Sequence, residues 1–228
     1  EIDQIMTTRF LSVDPMARKY PEMNPYGYCA NNPINAIDPD GREILYLVRN
    51  NDGAVTNTYR YTKGNFYDIS TKKMYDPDKG SYSTLNRLTK SYQAIENSND
   101  NLLKGRLHHL ESSEKYHYIE KGEDSGVRPL GGGHTQTTYN FKDANDGDYK
   151  NIGRSDVGTT AHELQHQYDW DTDNMKDNAP DASATDPAEI RAVATENKAR
   201  NIDNKEHRTS YHREKIDPEK LKNPPNYK

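Results

Sequence analysis

Regular periodicity begins in this chain only after Gly41, and that boundary most limits what the chain can fold into. Residues 9–41 (RFLSVDPMARKYPEMNPYGYCANNPINAIDPDG) are dense in Pro, Asn, Asp, Gly and Tyr. They show neither the 3.6-residue period of a helix nor the 2-residue period of a strand, so they read as consecutive turns. The stretch is too aromatic for a flexible linker and is expected to be ordered against something else. The chain opens Glu1-Ile2-Asp3, without an initiator Met, a basic n-region or an apolar h-region, and reads as a fragment of a longer polypeptide.

From Glu43 onward the residues predict α+β structure. Glu43–Val48 reads as a strand, Asn50-Asn51-Asp52-Gly53 as a hairpin turn, and Ala54–Tyr61 as the returning strand, with a third near Asn65–Ile69. Leu85, Leu88, Tyr92 and Ile95, then Leu102, Leu103, Leu107 and Leu110, recur at helical spacing and predict two helices broken near Asn97–Asp100. Strands are expected at Tyr116–Ile119 and Thr135–Phe141, with Gly131-Gly132-Gly133 as a loop between them. That glycine run lacks the Lys-Ser/Thr of a phosphate-binding loop. Helices are expected from Asp156 to about Trp170, capped by Ser155 or Asp156, and from Asp186-Pro187 to about Asn201, with a polar loop over 171–186. The charged tail from Asn204 is expected to be partly disordered.

Composition bounds the rest. Hydrophobic residues are 31% of the chain and the mean hydropathy is −1.20, so one modest core with wide polar margins is expected. Seventeen Tyr against three Phe suggest rings buried with hydroxyls left in water. The net charge of −5 argues against a general nucleic-acid binder. Cys29 is the single cysteine, which excludes an intrachain disulfide and a multi-thiolate metal site. No apolar run approaches the roughly 18 residues of a membrane span.

The chemistry is concentrated in His162-Glu163-Leu164-Gln165-His166, a His-Glu-x-x-His segment. Positions four apart share a helix face, so His162 and His166 can aim ring nitrogens at one Zn2+ ion. Glu163 sits about 100° round the helix, beside the ion rather than on it, placed as general base for a water polarised there. Val157, Ala161 and Leu164 supply apolar positions around the motif. The plainer reading is a surface helix with two histidines. A catalytic zinc takes a third protein ligand and keeps one position open. Glu189 is the expected third ligand, because Ala192 one turn on lets its helix pack closely. Glu196, on nearly the same face, is the alternative ligand or an outer-shell partner. Tyr211, His212, His134 and Tyr139 are candidates for stabilising a transition state, Tyr211 being preferred. His108-His109 are expected to end a helix and to ligate nothing.

Two resemblances cover different stretches. Arg9-Phe10-Leu11-Ser12-Val13-Asp14-Pro15, Asn24-Pro25-Tyr26, Asn31-Asn32-Pro33 and Asp38-Pro39-Asp40-Gly41 resemble the C-terminal end of an RHS repeat-associated core domain. That resemblance implies a boundary near 41, with 1–41 closing a cage of repeats on the same polypeptide and 42–228 forming an exported toxin or effector delivered to a target cell, with a cognate immunity protein. It also implies autoproteolysis at Asp38; Arg42 stands where many members carry Leu. Ala161–His166, Glu189-Ile190-Arg191-Ala192, Glu196-Asn197 and Arg200 resemble gluzincin-type bacterial effector metallopeptidases, although Val193 stands where the thermolysin pattern has Asp. This implies a zincin-like domain that cuts a few protein substrates.

Other readings compete. One is a toxin of different chemistry, such as a metal-dependent nuclease, which favours basic surroundings. Another is a non-catalytic module with a structural zinc, which calls for a closed four-ligand site.

Overall fold

The computed structural model describes residues 43–143, 145, 147–175 and 183–225. The chain divides between Arg42 and Glu43, and all described residues belong to the second unit. The turn-rich segment, Cys29 and Asp38 therefore lie outside the described residues.

The unit is an α+β fold. A six-stranded mixed sheet runs β3-β2-β1-β4-β6-β5. Its strands are β1 (Glu43–Arg49), β2 (Val55–Thr62), β3 (Asn65–Asp68), β4 (Tyr116–Lys121), β5 (Gly126–Gly131) and β6 (His134–Tyr139). The hairpins β1–β2 and β2–β3 are antiparallel, while β1–β4 and β4–β6 are parallel. The β1-to-β4 crossover carries α1 (Ser83–Glu96) and α2 (Asn101–Ser112), as parallel neighbours require. Asp100 separates the two helices by capping α2 through Leu102 N and Leu103 N.

Alternate residues of β1, Ile44 and Tyr46, pack with Phe66 and Ile119 against Leu85, Leu88, Tyr92, Leu103 and Leu107. The tyrosines depart from expectation. Tyr61 and Tyr139 are almost wholly buried, hydroxyls included. Tyr61 donates to Glu96 Oε1 at 2.6 Å, and Tyr139 to Thr160 O at 3.4 Å. A short supply of Phe is met with Tyr, and the interior provides acceptors for the Tyr61 and Tyr139 hydroxyls.

Strand β5 was not expected from the sequence. Its Pro129 and terminal glycines hide any period, but Pro is tolerated because β5 is an edge strand. Within the tail, expected to be partly disordered, the described residues form a hairpin of β7 (Ser210–Tyr211) and β8 (Glu214–Lys215), then the short α5 (Pro218–Lys222). Ile216 of this tail packs with Ile190 and Val193. Among the described residues no helix is long and apolar enough to cross a membrane.

Candidate metal centre

Two neighbouring helices carry the centre, α3 (Asp156–Asp171) and α4 (Pro187–Arg200). Ser155 starts α3 by accepting from Gly158 N at 2.8 Å. Asp186 starts α4 by accepting from Ala188 N at 2.9 Å, with Pro187 in the first turn. Close packing of the pair depends on small residues. A side chain on Gly158 would meet Arg200 Cγ at 3.1 Å, and Ala188 and Ala192 are buried.

This packing brings His162, His166 and Glu189 together, each less than a tenth exposed. His162 Nε2 and His166 Nε2 are 3.3 Å apart. Glu189 Oε2 lies 3.3 Å from the first and 3.4 Å from the second. A tetrahedral ion with bonds of about 2.0–2.1 Å holds its ligand atoms about 3.3–3.4 Å apart, which is the triangle found here. Glu189 Oε2 is buried without a hydrogen bond despite these two neighbours. Two imidazole nitrogens facing each other cannot both donate to the gap between them, whereas a cation satisfies all three atoms. The buried His162–His166–Glu189 group can therefore hold a metal ion.

Glu196 occupies a different place. It is fully buried behind His162, with Oε2 3.3 Å from Nδ1 of that ring rather than beside the three ligand atoms. Arg208 Nη1 donates to the same oxygen at 3.0 Å, and the Tyr149 hydroxyl lies 3.4 Å away. Arg208 also donates to Asp148 Oδ2 at 2.9 Å. Burial raises the Glu196 carboxyl, but contacts from His162 and Arg208 outweigh it and hold the group down to about 2. An anionic Glu196 is thus held against the Nδ1 side of the His162 ring, the place from which a carboxylate can orient a ligand imidazole. Nothing in the sequence pointed to Asp148, Tyr149 and Arg208, since charged residues in a polar segment look solvated until a buried partner is known.

Glu163 is 5% exposed and its Oε2 has no hydrogen-bond partner. Burial raises its pKa, against the pull of His162 and His166. With His162 it lines a pocket of about 650 Å³. Tyr211 and His212 line the same pocket. The Tyr211 ring lies parallel to that of His162, centroids 6.2 Å apart. Burial, then the Glu189 carboxylate, push the Tyr211 phenol far above its ordinary value, so it remains a proton donor.

The other candidates are elsewhere. His134 Nδ1 accepts from Tyr116 N at 2.8 Å in the sheet, and Tyr139 is enclosed in the core. His108 and His109 fall in the last turns of α2, where His108 pairs with Glu96 at 2.8 Å and His109 with Asp171.

No family model, curated protein or solved structure matches the chain.

Proposed function

We propose that residues 42–228 are a zincin-like zinc endopeptidase. The carrying observation is that the triangle of His162, His166 and Glu189 has the edges of a tetrahedral site, while an unpartnered Glu163 stands in the pocket beside it. Two imidazoles and one carboxylate are a ligand set that zinc favours in hydrolytic sites, and among the described residues the group has three members, leaving a fourth position for substrate or water. When held there, zinc supplies Lewis acidity toward a water and a peptide carbonyl.

The chain's own residues do the rest. Glu163 accepts a proton from the attacking water and returns it to the departing amine nitrogen; its raised pKa brings it closer to the range in which one group can do both. The Tyr211 hydroxyl donates to the oxyanion that develops on the carbonyl oxygen. Glu196, held by Arg208, keeps the His162 ring turned so that Nε2 faces Glu189. The resemblance of residues 9–41 to an RHS core end supports delivery of this peptidase as an exported toxin acting on proteins of a target cell.

Metal analysis of the purified chain, together with hydrolysis of a general protein substrate with and without chelator, tests the reading. About one zinc per chain and chelator-sensitive cleavage are expected. Zinc content unchanged after His162→Ala with His166→Ala, or cleavage indifferent to chelator, refutes it.

A further inference from the structure

Among the described residues that line the pocket beside Glu163, cations outnumber acids, the reverse of the balance in the whole chain. The whole sequence has 31 Lys and Arg against 36 Asp and Glu. The pocket lining has four cations, Lys142, Arg154, Arg208 and Arg213, against two acids, Asp148 and Glu163. Arg208 and Asp148 largely neutralise one another at 2.9 Å, and Glu196 takes the rest of Arg208. Among the described residues Lys142 pairs with Asp124, 2.8 Å away, with both side chains well exposed, a pairing that solvent screens heavily. Arg154 lies over the Tyr149 ring at 4.4 Å. Among the described residues the lining contains no Leu, Ile, Val, Met, Phe or Trp, which favours electrostatic and polar selectivity.

Arg213 has the most distinctive placement. Tyr211 pairs with Glu214 across the β7–β8 hairpin, so His212 and Arg213 form a two-residue turn. Their φ values are +48° and +68°. Such turns favour Asn and Gly, and bulky residues at positive φ persist where surrounding contacts impose them. Asp148 Oδ1 imposes this one, accepting from Ser210 Oγ at 2.6 Å and from Arg213 N at 2.8 Å. The backbone of Arg213 is thus pinned at the pocket. Its side chain is exposed, and among the described residues the guanidinium makes no hydrogen bond or ion pair.

We propose that this site takes peptides with an aspartate or glutamate close to the bond that is cut, and that Arg213, backed by Lys142, binds that carboxylate. The inference rests on the peptidase reading for the word "cut", but not for the binding.

Two measurements on the full chain separate the two claims. In the first, a proteome-derived peptide library is digested and cleavage sites are read by mass spectrometry. Acidic residues should be enriched within two positions of the cleaved bond, and Arg213→Glu should invert that preference toward Lys and Arg, whereas Arg213→Lys should keep it. A merely structural role for Arg213 predicts loss of rate with an unchanged profile, and that result overturns the proposal.

In the second, zinc-loaded Glu163→Gln protein is titrated with a Glu-rich peptide, its Gln counterpart and a single-stranded oligonucleotide. The Glu peptide should bind at least about tenfold tighter than the Gln peptide, with the difference removed by adding Arg213→Glu. Equal binding of the two peptides overturns the proposal, as does an oligonucleotide that binds tighter than the Glu peptide. Selective binding of the Glu peptide with no cleavage by the unmodified chain sustains acidic recognition and refutes only the hydrolysis.

Discussion

The proposed function gives three roles to three buried glutamates within one small volume, and substitution separates them. Glu163→Gln keeps the shape and removes the proton acceptor. Zinc content should be unchanged while turnover falls about 10²–10⁴-fold, the usual worth of a general base. Glu189→Ala should lose the metal, because two protein ligands remain of three. Glu196→Ala should retain a weakened site, with about 10–100-fold lower affinity, as expected when a ligand's outer partner is removed. Zinc stoichiometry and rate measured on the same three proteins decide the assignment. If Glu196→Ala empties the site and Glu189→Ala does not, the ligand roles are reversed. Tyr211→Phe removes one hydroxyl from the pocket and should lower kcat by about 10²–10³ with KM little changed. A change confined to KM would move Tyr211 from the oxyanion to substrate binding.

Among the elements, those that form the centre were the most legible. Helices α3 and α4 advertise their starts, Ser155 and Asp186-Pro187, and the spacing of two histidines four apart carries a chemical meaning that survives a polar composition. The outer layer was hidden because burial there is achieved by pairing charges rather than by apolar side chains. Glu196 was singled out by its place on the helix face, but Arg208, Tyr149 and Asp148, which hold it, read as solvent-facing residues in any local window. The β7–β8 turn was missed because His212-Arg213 is not a turn dipeptide, and it forms only because Asp148 holds both sides.

The same logic governs the far end of α3. Asp171 receives His109, Ser113 Oγ at 2.6 Å and Lys115, tying α3 to the end of α2 and the start of β4. Burial raises the Asp171 carboxyl, but the His117 ring 3.6 Å away and hydrogen bonds from Ser113 and His109 outweigh it and hold it well below the ordinary carboxylate range. A depressed folded-state pKa stabilises the fold above the unfolded value near 3.9, and that stabilisation is lost as pH falls through the folded value. Asp171→Asn should therefore cost about 1.5–3 kcal/mol at neutral pH, with the gap to the unmodified chain closing below about pH 4. Urea denaturation at several pH values checks this; a gap that widens in acid contradicts it.

At the scale of the molecule, every described element lies beyond Arg42 and the sheet begins at Glu43. A chain truncated to start at Arg42 should fold cooperatively, bind zinc and cleave the same peptides as the longer chain. Thermal unfolding and zinc content of the shortened protein test this, and an unfolded or metal-free product would show that residues 1–41 complete the domain. The site itself is assembled from two separate portions of that chain. His162, Glu163, His166, Glu189 and Glu196 come from α3 and α4, whereas Arg208, Tyr211 and Arg213 come from the tail. In chain order the ion-facing side chains precede Arg208, Tyr211 and Arg213, so removal of the stretch after Asn204 should spare the three ligand residues while taking away the groups proposed to hold Glu196, the oxyanion and the substrate.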